Sequence, residues 1–176
     1  MPYNGAIRQE EGPVANASTY YCYRTPHGPL TIRADRTGVT DVVLGESPLD
    51  GQCRPSEITN RAATQIMEYL AGKRHVFDVP LSPQGTAFQK RVWDEIDRIP
   101  YGSAATCAQI ARQLGNEEGF RAVGAAVRKN PLVILIPAHR VTSADGKPLG
   151  SGRSADLKAA LLRLEQENLK NGSSAR

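Results

Sequence analysis

The sequence predicts an α+β protein, with a small N-terminal antiparallel sheet and one helix on it, then a mostly helical C-terminal part containing a helix-turn-helix. Three observations carry this. Strand-like runs separated by turn residues are confined to residues 19–44, and apolar residues at helical spacing dominate from Glu57 onward. The charge also divides: residues 1–82 hold 8 Lys and Arg against 9 Asp and Glu, whereas residues 83–176 hold 14 against 9. A basic half joined to a neutral companion suits a polyanion partner.

At 176 residues the chain has room for one generous domain or two small ones, each with its own core. No apolar run approaches the roughly 20 residues of a membrane span, so no membrane partner is expected. Met1 to Ser18 is polar without a basic-then-apolar signal pattern, and we expect a disordered tail there and no export. Cys22, Cys53 and Cys107 are odd in number and far apart, which argues against a disulfide framework or a zinc knuckle and for a reducing compartment. The location expected is cytoplasmic, at the nucleoid, or nuclear.

Tyr20-Tyr21-Cys22-Tyr23, Leu30-Thr31-Ile32 and Val39 to Leu44 read as strands, with turns at Pro26-His27-Gly28-Pro29 and Asp35-Arg36-Thr37-Gly38. Glu46 to Ser56 reads as a loop. Ala62, Ile66, Met67 and Leu70 then fall on one face of a helix over 57–72, closed by Gly72. This sheet and helix, residues 19–82, read as scaffold. The proline-marked run Val79 to Pro83 coincides with the charge change and marks the boundary to a second domain, residues 83–168, with a short tail at 169–176.

In the second part, Phe88, Val92, Trp93 and Ile96 predict a helix from Thr86 to Ile99, stopped by Pro100-Tyr101-Gly102. Thr106 is placed to cap a short helix with Cys107, Ile110, Ala111 and Leu114 on one face, ended by Gly115-Asn116. A second helix follows over 118–129. On it Phe120, Val123 and Val127 form an apolar stripe expected to face the core, while Arg121, Ala125 and Arg128 stand opposite with Ala122 and Lys129 beside them. Small side chains let a helix backbone come close to a surface, and the cations beside them can reach phosphates or bases. Against this stands a plain solvated face with a few charges.

Asn130-Pro131 ends that helix. An apolar run from Leu132 to Ile136 is halted by Pro137, and Ala138-His139-Arg140-Val141 follow at once, so a rigid turn delivers two polar side chains beside a buried segment. Thr142 to Gly152 is a Gly-containing loop able to close over a ligand. Ser154 is expected to cap a last helix with Leu157, Leu161 and Leu164 buried. Glu165 sits at the edge of that stripe, where a carboxylate needs a partner to justify losing water, and His139 is the candidate.

The stretch Arg121 to Arg128, then Asn130-Pro131, then Pro137-Ala138-His139-Arg140-Val141, then Glu165 in a Leu-Leu-Arg-Leu-Glu helix, resembles the O6-alkylguanine-DNA alkyltransferase family. That family's signature is Pro-Cys-His-Arg-Val, with the cysteine as alkyl acceptor. The resemblance implies a minor-groove helix-turn-helix that turns the modified guanine out of the stack. Arg121 matches the side chain that fills the vacated space, with Ala122, Ala125, Arg128 and Arg140 contacting DNA. Asn130 matches a hinge, and His139 and Glu165 match the base and its orienting carboxylate. The pocket is expected to be lined by Cys107, Val127, Val141, Ser151, Gly152, Arg153 and backbone from Ala138 onward. Active members often have a tyrosine where Cys107 stands, and Ser151-Gly152-Arg153 replaces a loop that usually carries a tyrosine, which points to weaker or altered lesion selectivity. The zinc ligands of some relatives fall near Asp35 and Thr40, so no metal and no cofactor are expected.

Alanine has no lone pair and no acidic proton, so Ala138 cannot accept an alkyl group. Two readings of it stand: an alkyltransferase-like damage sensor that hands the lesion to nucleotide excision repair, or a Cys-to-Ala variant of an active suicide alkyltransferase. A third class is a regulator that reads DNA by sequence, although a regulator has no need of His139 or a partnered Glu165. The DNA-bound form is expected to be a monomer, with cooperative assembly on DNA left open.

Overall fold

The computed structural model describes residues 17–173. Strands β1 (Thr19–Thr25) and β2 (Gly28–Ala34) form a hairpin closed by Pro26-His27, and the register puts Gly28, at φ +103°, opposite Thr25. β3 (Val39–Leu44) continues the antiparallel meander. β4 (Gln52–Cys53) pairs parallel with β1, giving the order β3-β2-β1-β4. This last strand lies inside the segment expected to be loop; two residues are too short to show a period. Ser18 is already tied in, its carbonyl accepting from the Gln52 amide at 3.0 Å, and the rest of the expected tail lies outside the described residues up to residue 16.

α1 (Glu57–Leu70) packs on the sheet through Ala62, Ile66 and Tyr69. Ser56 and Thr59 cap its start reciprocally, an arrangement whose loss costs about 1 kcal/mol. α2 (Ala87–Asp97) starts in the same way from Thr86 and Gln89, and buries Val92, Trp93 and Ile96. The Trp93 indole N–H donates to the Ala126 carbonyl at 2.9 Å, which fixes α2 against the later helix Phe120–Arg128.

α3 (Cys107–Gln113) and α4 (Phe120–Arg128) are the two helices of the helix-turn-helix. Gly115 at φ +75° and a 3-10 turn over Glu117–Gly119 connect them. The short strand β5 (Ala105–Thr106) pairs parallel with β6 (Val141–Thr142), so the start of α3 is held beside the segment that follows His139. The last helix, α5, spans Gly152–Ser173. It therefore begins two residues before Ser154, which lies inside its first turn instead of capping it. It also runs through most of the tail expected at 169–176; residues 174–176 lie outside the described part.

The two halves do not keep separate cores. Leu30, Ile32, Ile66, Trp93, Leu132 and Leu161 all belong to one apolar cluster. The free edge of β3 is covered by the second half of the chain: Val39 pairs with Leu81 and Val42 with Leu132, and the Val42 amide donates to the Pro131 carbonyl at 2.7 Å. A sheet edge that would otherwise stay open is thereby closed.

Candidate functional site

The site is assembled where α4 ends. Asn130 turns the chain by bonding both ends of the next loop: its carboxamide oxygen accepts from the Leu132 amide at 2.9 Å, and its Nδ2 donates to the Ile136 carbonyl at 3.0 Å. Inside that loop Ile134 is buried at φ +74°, a conformation in which a β-branched residue is strained and which the surrounding packing must enforce. Pro137 then leads into a 3-10 turn of Ala138, His139 and Arg140, in which the Arg140 amide donates to the Pro137 carbonyl at 2.9 Å. All three side chains are buried.

Glu165, with no exposed surface, is the centre on which this turn converges. Its Oε1 lies 2.7 Å from His139 Nε2 and accepts from the Tyr69 hydroxyl at 2.6 Å and from Arg140 Nη2 at 2.9 Å. Its Oε2 accepts from Arg140 Nε at 3.0 Å and from the Gly102 amide at 2.7 Å. Burial alone would raise the carboxyl's pKa, but the bonds from His139 and Arg140 override it and hold the group at about 2. His139 is pushed below its ordinary value by burial, with Arg140 and Lys158 adding to the effect against the opposing pull of Glu165. The imidazole is therefore a neutral ring at physiological pH, the state a general base needs.

With Nε2 committed to Glu165, Nδ1 is the ring nitrogen left for a small cavity of about 70 Å³. Ala138, His139, Asn130, Val127, Ser154 and Lys158 are among the residues around it, with Arg128 on its rim. The Lys158 ammonium donates to the Leu149 carbonyl at 2.7 Å, tying the 142–151 loop to α5. On the other side of Arg128 lies a larger, mainly apolar hollow of about 660 Å³, bordered by Cys107, Phe120, Arg121, Gly124 and Leu149.

The structure brings Ala138, His139, Asn130 and Glu165 together, and it exposes Arg121, Ala122, Ala125 and Arg128 on one face of α4. Other expectations are corrected. Arg140 is 6% exposed and fully engaged with Glu165 and, at 2.6 Å, with the Ile99 carbonyl, so it is not a surface contact for DNA. Phe120 is 45% exposed instead of facing the core, with the Arg121 guanidinium 5.8 Å from its ring centre. It is the first residue of α4, and the 3-10 turn before it, Glu117–Gly119, buries none of its own residues and gives it no cover.

Of the expected pocket lining, Val127 and Ala138 border the small cavity, whereas Cys107, Val141, Ser151, Gly152 and Arg153 do not. Val141 is fully buried on β6. Cys107 borders the larger hollow, its thiol pKa raised by burial against a weaker pull from Arg128. Because α5 begins at Gly152, Ser154 and Lys158, four residues apart on one face, point to the cavity, and Arg153 lies against the β1–β2 hairpin at Gly28. Tyr69 and Gly102 were not anticipated from the sequence. A tyrosine closing the buried stripe of α1 did carry a signal, since a buried phenol hydroxyl requires a partner.

A helix-turn-helix whose second helix runs, through an asparagine-stapled turn, into a buried histidine–glutamate pair beside a cavity is the architecture of the DNA alkyltransferases. Comparison agrees. Residues 87–167 match the model of the 6-O-methylguanine DNA methyltransferase DNA-binding domain. The chain is 38% identical over 151 residues to the methylated-DNA–protein-cysteine methyltransferase of Methanosarcina acetivorans, covering 83% of this chain and 97% of that one. It is 34% identical to the constitutive enzyme of that name from Bacillus subtilis, covering 86% and 97%. Among solved structures it is similar to Mycobacterium tuberculosis OGT in complex with DNA, with TM-score 0.79 and 38% identity over 85% of this chain and 94% of that chain. The chain belongs to the 6-O-methylguanine DNA methyltransferase family.

Proposed function

We infer that this protein binds O6-alkylguanine in duplex DNA and marks the lesion without removing the alkyl group. The observation that carries the reading is Ala138: at the wall of the cavity, one residue before a neutral, carboxylate-held His139, stands a methyl group where transfer requires sulfur. No sulfur among the described residues borders that cavity.

In this reading the exposed face of α4 enters the minor groove, Ala122 and Ala125 permit close approach, and Arg121 takes the place of the extruded base. Such filling offsets part of the few kcal/mol that unstacking costs. The protected lesion is then handed to a repair pathway that excises nucleotides. Titration of one duplex with and without a single O6-methylguanine tests this. Tighter binding of the lesion duplex is expected, and equal affinity for both would leave a DNA binder with no lesion function.

A second reading has its own support. The Asn130 staple and the Glu165–His139 pair are intact, and the similar relatives are named as methyltransferases. On this reading Ala138 stands for the cysteine of an active suicide alkyltransferase, and Ala138→Cys restores one transfer per molecule.

A further inference from the structure

We propose that Tyr69 is a positioning residue of the site: its hydroxyl, supplied by α1 from the N-terminal half, fixes His139 as the Nε2–H tautomer with the Nδ1 lone pair turned toward the cavity beside Ala138. Three buried groups meet there, and their hydrogens admit one arrangement. The Tyr69 hydroxyl lies 2.6 Å from Glu165 Oε1 and 3.1 Å from His139 Nε2, while Nε2 and Oε1 are 2.7 Å apart. Tyr69 has one proton to give, and the ionised carboxylate is the stronger acceptor, so it goes to Glu165. The phenol oxygen then presents lone pairs to Nε2, as does Oε1. If Nε2 were unprotonated, three sets of lone pairs would face one another out of water; a hydrogen on Nε2, shared between Oε1 and the phenol oxygen, removes the conflict.

The phenol is held for this task. Tyr69 has no exposed surface, and its ring packs against Phe77, Tyr101 and His139 with centroids 5.3, 6.1 and 6.2 Å away. Burial, reinforced by the Glu165 charge, pushes its own pKa well above the ordinary 10, so it remains a donor throughout the physiological range. Because the family's DNA-binding model begins at residue 87, Tyr69 lies outside the matched segment. The N-terminal half is therefore part of the site as well as a scaffold. The tautomer is a property of the free protein, so this inference does not rest on what occupies the cavity.

The sign of the electrostatic effect follows from the contacts. By donating to Glu165, Tyr69 draws off negative charge that would otherwise favour an imidazolium at His139. Of the charged groups acting on His139, Glu165 favours its protonation and Arg140 and Lys158 oppose it; Tyr69 is neutral and acts chiefly by weakening the pull of Glu165, the hydrogen bond its oxygen accepts from Nε2 being the smaller effect. Removing the hydroxyl should raise the histidine's titration midpoint.

Imidazole nitrogen NMR on the full chain tests the proposal without DNA. The chain has only His27, His75 and His139, so the resonances are separable. The unaltered protein should show Nε2 protonated and Nδ1 bare, and Tyr69→Phe should raise the His139 midpoint by roughly half a pH unit or more. A ring-fluorinated tyrosine at 69, a stronger donor of nearly the same shape, should lower it and decides the matter if Tyr69→Phe does not fold. An Nδ1–H tautomer in the unaltered chain overturns the proposal. So does a midpoint that stays put in folded Tyr69→Phe or in the fluorinated protein, because a purely structural tyrosine would alter melting alone.

Discussion

Replacing Arg140 with methionine separates a DNA-contacting arginine from a structural one. Methionine keeps much of the stem and deletes the guanidinium, which removes bonds to Glu165 at 2.9, 3.0 and 3.2 Å and one to the Ile99 carbonyl at 2.6 Å. Glu165 keeps Tyr69, His139 and Gly102 but loses the fully charged cation that partners it. Breaking a buried pair in this way costs about 3–5 kcal/mol, because a carboxylate remains desolvated without its counter-charge. For a chain of this size that is a fall in Tm of roughly 6–20 °C. Arg140 also opposes protonation of His139, so its removal lets the imidazole charge more readily and replace part of the lost attraction. The loss should therefore be smaller at pH 5.5 than at pH 7.5. Urea unfolding at both pH values gives the stability, and a salt titration of DNA binding gives the contact count. Stability within about 1 kcal/mol of the parent, with one phosphate contact fewer, would refute the buried role.

Arg121→Ala should weaken binding to a lesion duplex by about 1–3 kcal/mol and reduce the salt slope by about one, as loss of a phosphate or base contact requires; fluorescence anisotropy at several salt concentrations measures both. Gly102→Ala should destabilise by about 1 kcal/mol or more, since an L side chain is strained at φ +76°, whereas the end of the half-exposed Leu169 side chain can give way, and thermal melting reads the effect. Acid should unfold the protein in two stages. His139 has a folded pKa below its unfolded value near 6.5, so its contribution is present above that pH and falls away below it. Glu165, ordinarily 4.5 and held at about 2, contributes at most about 3 kcal/mol above pH 4.5, lost as pH falls toward 2. Glu165→Gln should flatten the lower stage of a stability–pH curve and leave no second step there.

The parts of the site legible in the sequence are those with local causes. A proline that stops an apolar run marks the turn at Ala138, and an asparagine before a proline marks the staple. Period 3.6 places Glu165 beside the buried stripe of α5, where a carboxylate demands a partner. What remained hidden depends on contacts distant in sequence. Tyr69 meets Glu165 across 96 positions, and nothing in α1 names its acceptor. The resemblance places Arg140 among the DNA contacts and arginine is most often a surface residue, so only the fold reveals that it is buried against Glu165 next to His139. Phe120 fits the apolar stripe by spacing, yet at the first position of a helix periodicity says nothing about cover. Ser154 is a good cap by type, so sequence alone starts the last helix two residues later than Gly152, where the structure begins it.

Lesion binding without transfer is tested most directly by weighing the intact protein after incubation with excess duplex carrying one O6-methylguanine. The account predicts that the protein's mass is unchanged and that the lesion is recovered intact from the bound DNA. Cys107, half-buried on the larger hollow with a raised thiol pKa and outside the lining of the cavity that His139 borders, is not expected to act as a substitute acceptor. A gain of one methyl group on the unaltered chain, abolished by Cys107→Ser, would contradict the account and make the protein an enzyme with a relocated acceptor.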